Sequence, residues 1–123
     1  MANPNEATVL EFNAAWAARD IDAILGFFTE DAVYHNIPLE PAVGLDAIRA
    51  VLDMFVPPAD EIEFVVHHMF SDGDLVFTER TDRFVTGGKT IELPVAGIFE
   101  IRDGKIVAWR DYFDMQTFIT QSA

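Results

Sequence analysis

The sequence predicts an α+β fold, with N-terminal helices packed on one face of a strongly curved mixed β-sheet. Apolar residues recur at helical spacing in the first part of the chain, whereas from residue 61 they alternate with a period of two. Short glycine-containing breaks divide this second part into four strand-like runs. Such a sheet can close into a cone, so we expect a pocket that admits a small apolar molecule.

Three helices are predicted before residue 61. The first spans residues 4–18, where Asn3 provides the N-cap and a proline occupies the first helical position. Asp20 can cap a second, short helix whose last apolar residue is Phe28. A third helix is predicted over residues 44–55, and two prolines end it. The apolar residues of these helices lie on one side, as expected for helices that cover a sheet.

Five strands are predicted. A short strand over residues 32–37 is stopped by Pro38. The other four strands form an antiparallel meander, and their approximate bounds are 61–70, 74–86, 89–102 and 105–116. No linker, repeat or low-complexity segment interrupts the pattern, so residues 1–123 are expected to form a single domain.

Composition excludes several classes of function. The formal net charge of −13 disfavours nucleic acid and anionic membranes as partners. The chain has no cysteine, which rules out disulfides and thiolate chemistry. The N-terminal residues lack the features of a signal peptide, and no apolar stretch approaches the ~20 residues that span a membrane. A cytoplasmic protein is therefore expected.

Neither a metal site nor a nucleotide site is predicted. His67 and His68 are adjacent on a strand and face opposite sides, so they cannot readily bind one ion together. His35 lies far from both in the sequence. The glycines do not form a phosphate-binding loop. We therefore expect a protein that works without a metal or another cofactor.

One carboxylate falls among large apolar residues. Strand alternation puts Asp111 on one face with Val107, Trp109 and Phe113. Burial there disfavours the ionised form of Asp111 unless another group pairs with it. Asp111 is therefore either an acid–base group or a carboxylate that accepts hydrogen bonds from backbone amides at the end of the sheet.

Arg80 and Asp82 offer that pairing. They lie two residues apart on a predicted strand, so they share a face, and Phe84 follows on the same face. An ion pair of this kind is common and by itself indicates structure rather than function. Combined with Asp111, it gives two carboxylates and one guanidinium on apolar faces, which is a plausible acid–base site.

Neutral polar and apolar residues complete the predicted site. Tyr34 and Asn36 share a face of the first strand and are suited to hold a water molecule, although such residues are also ordinary at a strand end. The expected pocket walls, which are core residues wherever the cone is closed, are Phe84, Leu93, Val95 and Phe113. These bulky apolar walls favour an apolar molecule over a charged one.

Together these residues resemble the limonene epoxide hydrolase family. The motifs that carry the resemblance are Tyr34-x-Asn36, Arg80-x-Asp82 and Trp109-Arg110-Asp111-Tyr112-Phe113-Asp114, with the preceding Gly104-Lys105-Ile106-Val107-Ala108. The spacing between the motifs is also similar, and the resemblance extends roughly from Asn13 to Phe118. The wider fold is a cone shared with ketosteroid isomerases and polyketide cyclases, which hosts many functions.

The resemblance implies hydrolysis of an epoxide to a vicinal diol in one step, without a covalent intermediate or a cofactor. With the apolar walls, it favours a small terpene-like or cycloalkene epoxide as the substrate. Asp111, with Asn36 and Tyr34, would hold and deprotonate a water molecule. Asp82 would be protonated and would donate to the epoxide oxygen, while Arg80 would bridge the two carboxylates. A homodimer formed through the sheet is also implied.

Two other functions remain open at this point. An isomerase or cyclase of the same fold would abstract a proton next to a carbonyl group, and Tyr34 with a protonated Asp82 would form its oxyanion hole. A non-catalytic module that binds apolar ligands would use Asp82 and Asp111 as ion-paired structure. Removal of those carboxylates would then harm folding rather than turnover.

Overall fold

The computed structural model describes residues 3–123, and within that range it contains four helices and six strands. The helices are α1 Pro4–Ala17, α2 Ile21–Leu25, α3 Leu45–Phe55 and α4 Met115–Ser122. The strands are β1 Phe28–Asn36, β2 Ala42–Val43, β3 Glu61–Asp72, β4 Leu75–Thr86, β5 Lys89–Arg102 and β6 Lys105–Tyr112. The predicted α+β class is confirmed. The first two residues, part of the segment considered above for a signal peptide, lie outside the described range.

The six strands form one sheet in the order β2-β1-β6-β5-β4-β3. Strands β3 to β6 make the predicted antiparallel meander. Strand β1 joins the other side of β6 in parallel, which makes the sheet mixed. In this pairing Tyr34 lies opposite Trp109, and Asn36 lies opposite Asp111. Residues far apart in the sequence therefore meet at one end of the sheet.

An aromatic cluster fixes the helices against the sheet. The ring of Phe12 in α1 meets Trp109 of β6 edge to face, with centroids 5.0 Å apart, and both residues are fully buried. Trp109 is stacked between Phe99, at 5.3 Å, and Tyr34, at 4.3 Å. Each buried aromatic side chain stabilises the fold by roughly 1.5–3 kcal/mol. The stack on Trp109 also fixes the position of the Tyr34 ring.

The ends of several elements differ from the prediction. Phe28 begins β1 instead of closing the second helix, so β1 starts before residue 32. The last strand ends at Tyr112 rather than at residue 116, because Asp114 starts α4, a helix that the sequence analysis did not predict. The Asp114 carboxylate accepts a hydrogen bond from the backbone N–H of Thr117 at 3.1 Å. This cap satisfies a free helical donor and ends the strand. The two-residue strand β2 was also not predicted.

The predicted placement of Val107 was wrong. Ile106, not Val107, is buried in the core with Trp109. The cause is an irregularity between β5 and β6, where the register shifts between Glu100 and Ile101. A bulge of this kind reverses the alternation of side chains on its two sides. Beyond it, Trp109 and Asp111 lie on the inner face as expected.

No helix within residues 3–123 is both long enough and apolar enough to cross a membrane.

Candidate active site

A cavity of about 250 Å³ opens at the inner face of the sheet. All four apolar residues expected as pocket walls line it, namely Phe84, Leu93, Val95 and Phe113. Tyr34, Asn36, Asp82 and Asp111 line it as well, and they form a polar group among the apolar walls. The structure thus brings the predicted site residues together around one cavity.

Arg80 lies behind this surface and contacts both carboxylates. Its Nε and Nη2 atoms donate to the two oxygens of Asp82 at 2.8 and 2.9 Å. Nη2 also donates to Oδ2 of Asp111 at 2.8 Å. The Arg80 side chain is 0% exposed, and those of Asp82 and Asp111 are 7% and 5% exposed. Charge-assisted hydrogen bonds of this length are strong, and here little solvent is present to screen them.

Aromatic rings hold the guanidinium from its faces. Its central carbon lies 5.1 Å from the ring centroid of Phe64 and 5.8 Å from that of Trp109. A cation over an aromatic face is attracted by the ring quadrupole, more strongly when water is excluded. Arg80 is thus fixed by carboxylates and rings together. The pKa of its guanidinium lies above the usual value, since the attraction of Asp111 and Asp82 outweighs the cost of burial.

Asp111 has an unusual environment for a carboxylate. Burial, the largest influence, raises its pKa to about 6, with the charge of Arg80 opposing and that of Asp82 adding to the increase. Its Oδ1 is buried and finds no hydrogen-bond partner among residues 3–123. Asp111 is therefore a carboxyl group that can exchange a proton near neutral pH and has a free acceptor oxygen.

Tyr34 is a neutral donor beside this carboxylate. Burial first, and then the negative charge of Asp111, raise the pKa of its phenol far above the usual value. The hydroxyl group therefore keeps its proton at any physiological pH. With Asn36, which lies directly across from Asp111 on the parallel strand, it gives the cavity two neutral hydrogen-bonding groups.

The structure adds residues that the sequence analysis had not assigned to the site. Trp16, Phe55 and Phe118 also line the cavity. Thr78 accepts a hydrogen bond from Nη1 of Arg80 at 3.1 Å. Gly97 lies beneath the contact between Arg80 and Asp111. A glycine inside a strand is a signal of close approach, and it could have identified Gly97. Thr78 lies two residues before Arg80 and so shares its strand face, whereas Trp16, Phe55 and Phe118 carried no local signal.

Among the residues that the structure describes, no group of three or more histidine, aspartate or glutamate side chains could hold a metal ion. The three histidines considered for a metal site lie outside the cavity lining. The cavity lining contains instead Asp82 and Asp111, the two carboxylates that Arg80 bridges.

The expectation that His67 and His68 face opposite sides was wrong. They contact Thr81 and Glu79, which share one face of β4, because the register of β3 shifts between Val66 and His68.

The sequence pattern of the SnoaL-like domain family matches residues 9–109, most of the chain. The chain belongs to this family. The chain is 38% identical over 100 residues to the epoxide hydrolase EphG of Mycobacterium tuberculosis. That match covers 77% of this chain and 61% of EphG, so the chain spans less than two thirds of its curated relative.

Solved structures of proteins with similar folds agree with this family assignment. An LEH-like epoxide hydrolase from M. tuberculosis superposes with a TM-score of 0.82 at 30% identity, over 94% of this SnoaL-like chain and 86% of that one. The predicted resemblance to the limonene epoxide hydrolases is thereby confirmed. A Shewanella putrefaciens protein named as a SnoaL-like polyketide cyclase superposes with a TM-score of 0.89, over 99% and 98% of the two chains. At 16% identity that likeness shows the shared fold alone.

Proposed function

We propose that this protein is an epoxide hydrolase that adds water to a small apolar epoxide and releases a vicinal diol without a cofactor. The observation that carries the proposal is the buried Arg80, which contacts two carboxylates at the edge of an apolar cavity. The similarity to M. tuberculosis epoxide hydrolase, in sequence and in structure, supports it. Epoxide opening needs an activated nucleophile at carbon and a proton at oxygen, and two unlike carboxyl groups can supply both.

The nucleophile would be a water molecule held by Asp111, Asn36 and Tyr34. Support comes from the pairing of β1 with β6, which aligns Asn36 with Asp111. The unpartnered Oδ1 of Asp111, within the described chain, is an acceptor available for a proton of that water. As the water oxygen attacks an epoxide carbon, Asp111 accepts its proton. The tyrosine and asparagine orient the water without taking up charge.

The proton for the leaving oxygen would come from Asp82. As the carbon–oxygen bond breaks, Asp82 donates its proton to the oxygen that becomes the second hydroxyl group. One proton leaves Asp82 and one arrives at Asp111, so the total proton count of the cluster is unchanged. Water in the cavity then returns the proton from Asp111 to Asp82 before the next turnover.

The free protein favours a different position for this proton. Burial raises the pKa of Asp111, whereas Arg80 donates two hydrogen bonds to Asp82 and only one to Asp111. Without a bound water, the shared proton is therefore favoured on Asp111. Hydrogen bonds from a bound water would stabilise the ionised form of Asp111 and so shift the proton to Asp82. Occupation of the cavity would thus prepare the site for the reaction.

The apolar walls support a terpene-like or cycloalkene epoxide as the substrate. Phe84, Leu93, Val95 and Phe113 offer no partner for a charged group. The cavity of about 250 Å³ suits a small molecule that buries most of its surface. The isomerase or cyclase alternative is supported less well, because the named epoxide hydrolases are 38% and 30% identical to this chain, whereas the named polyketide cyclase is 16% identical.

We also propose that the protein forms a homodimer through the outer face of the sheet. Neighbouring strands place Phe70, Phe77, Ile98 and Arg110 in one row across that face. Phe70 is 64% exposed, and its ring stacks on that of Phe77. Exposed aromatic groups on the outer face of a sheet are typical of an interface between chains.

The function is tested by diol formation from limonene oxide and cyclohexene oxide. We expect turnover by the wild type and a loss of about a hundredfold or more in kcat for Asp111→Asn and for Asp82→Asn, as for general acid–base groups. Asp53→Asn, which changes an exposed carboxylate on α3, is the matched control and should keep wild-type activity.

Far-UV circular dichroism and thermal unfolding are measured on all four proteins. Loss of turnover in folded variants supports the hydrolase and argues against purely structural carboxylates. Full activity in folded Asp111→Asn would contradict the mechanism. A wild type that binds both epoxides without forming diol would indicate a ligand-binding module instead.

A further inference from the structure

Arg80 reaches Asp111 across a whole strand. It lies on β4 and Asp111 lies on β6, and these strands are separated by β5. Adjacent strands are about 4.8 Å apart, so the side chain of Arg80 must extend over β5 to span roughly 10 Å. The hydrogen bond of 2.8 Å between its Nη2 and Oδ2 of Asp111 is therefore made above the surface of β5.

Gly97 lies at the crossing point. It pairs with Thr78 on one side and with Asp111 on the other. A Cβ atom built at this position would come within 2.5 Å of Nη1 of Arg80 and within 2.5 Å of Oδ1 of Asp111. Real Cβ atoms do not approach other atoms so closely, so a side chain there must displace at least one of the two groups.

The backbone itself does not require glycine at this position. Gly97 is not among the residues with positive φ, unlike Gly87 and Gly88 in the turn that precedes β5. A glycine inside a strand weakens it and often marks a place where another group approaches closely. Here the approaching group is identified, because the guanidinium of Arg80 and the carboxylate of Asp111 occupy the space above the Cα atom.

We propose that Gly97 is a positioning residue of this site, whose missing side chain lets Arg80 cross β5 and hold Asp111. The contact with Asp82 does not depend on it, because Asp82 lies two residues from Arg80 on the same strand face. Thr78 flanks the crossing and accepts a hydrogen bond from Nη1. Gly97 thus decides whether the two carboxylates share one cation or only Asp82 is paired.

A methyl group at residue 97 has a specific chemical consequence. Separation of Arg80 from Asp111 leaves a buried carboxylate without its cation, which disfavours the ionised form of Asp111. The midpoint of its titration should then rise by about one pH unit or more. An effect of this shift on turnover rests on the proposed hydrolase function, whereas the shift in the titration of Asp111 does not.

The test compares Gly97→Ala with the wild type and with Gly26→Ala. Gly26 has a helical backbone, and its Cβ would lie 3.4 Å or more from its neighbours, so this variant is a matched control. The side-chain carboxyl groups are labelled with ¹³C and titrated by NMR, and Asp111→Asn identifies the signal of Asp111. Epoxide turnover is measured on the same samples.

We expect the Asp111 midpoint to rise in Gly97→Ala alone, with kcat lowered at least about tenfold and KM changed less. An unchanged midpoint in folded Gly97→Ala would overturn the proposal, whatever the activity. If the wild type hydrolyses no epoxide, the proposed function fails, yet the titration still judges the role of Gly97.

A second variant decides the case in which Gly97→Ala does not fold. Asp111→Ala removes one of the two groups that meet the new methyl group and frees the end of Arg80 to move. Folding restored in the double variant Gly97→Ala/Asp111→Ala supports the proposal. A double variant that also fails to fold would refute it, because the carboxylate would then not be the reason for glycine.

Discussion

Burial of the charged side chains of Arg80, Asp82 and Asp111 at one place costs folding free energy. Removal of charges from water costs several kcal/mol per ion, and apolar replacements of buried ion clusters are often neutral or stabilising. The cluster is therefore weak evidence for a stabilising role. Its two carboxylates also line a cavity that a purely structural cluster would not need. The cost of burying these charges therefore favours a chemical function over a purely structural one.

The pH dependence of turnover tests whether the cluster works with one shared proton. The pKa of Asp111 is raised to about 6 with Asp82 as a charged neighbour, so above pH 6 the free protein loses the last proton of the pair. The proposed mechanism needs that proton for the epoxide oxygen. We therefore expect kcat/KM to fall as the pH rises through about 6, and by roughly tenfold per unit above it.

A pH–rate profile of kcat/KM, from pH 4 to pH 9, measures this limb. The direction in which kcat/KM changes with pH decides between two mechanisms. If Asp111 acts as a base alone and needs no acid partner, kcat/KM should instead rise through the same pH range. Such a rise would contradict the shared proton while leaving the hydrolase function intact.

Helix α4 supplies one wall of the cavity. Phe118 packs against the cluster of Ile91, Leu93 and Val95, and its ring meets that of Phe55 at 6.2 Å. Gln121 fixes the helix to β5, since its side chain accepts from the backbone N–H of Glu92 and donates to the carbonyl oxygen of that residue. The helix thus closes the apolar part of the cavity.

We expect Phe118→Ala to weaken substrate binding more than chemistry. Loss of a large apolar wall should raise KM about tenfold, whereas kcat should change little because the polar cluster is not touched. Ile119→Ala, at an exposed position on the same helix, is the control. Steady-state kinetics with one epoxide separate the two parameters. An equal loss of kcat in Phe118→Ala would show that α4 instead holds the catalytic groups in place.

The two faces of the sheet differ in the groups that they carry. The inner face carries the helices and the cavity, whereas the outer face carries the row of Phe70, Phe77, Ile98 and Arg110. Association through the outer row would leave the cavity free. The charge of −13 on each chain opposes association, so the predicted dimer should become stronger with added salt.

Light scattering coupled to gel filtration tests the dimer. We expect the wild type to have twice the mass of one chain, and Phe70→Asp to dissociate at concentrations at least about tenfold higher than the wild type does. Leu10→Asp introduces the same charge on the exposed side of α1 and should remain dimeric. A monomeric wild type at micromolar concentration would contradict the proposal.

Local patterns explain why much of this protein is predictable from its sequence. A period of two places alternate residues on opposite faces, so Arg80, Asp82 and Phe84 could be assigned to one face without a structure. Glycine-containing turns located the strands of the meander. The motifs around Tyr34 and Asp111 indicated the family. These inferences depend on neighbours in the sequence. The structure confirms the fold class, and the similar proteins confirm the resemblance.

Which faces meet, and at what distance, depends on the packing of elements that lie far apart in the sequence. The parallel pairing of β1 with β6, which aligns Asn36 with Asp111, joins segments with no local signal for each other. The passage of Arg80 over Gly97 and the wall formed by α4 depend on strand order and on the path of the chain. The raised pKa of Asp111 depends on burial by distant residues. Sequence pattern specifies the face of a residue where the strand is regular. Bulges such as the one at Val107, distances and solvent exclusion arise only when the elements pack.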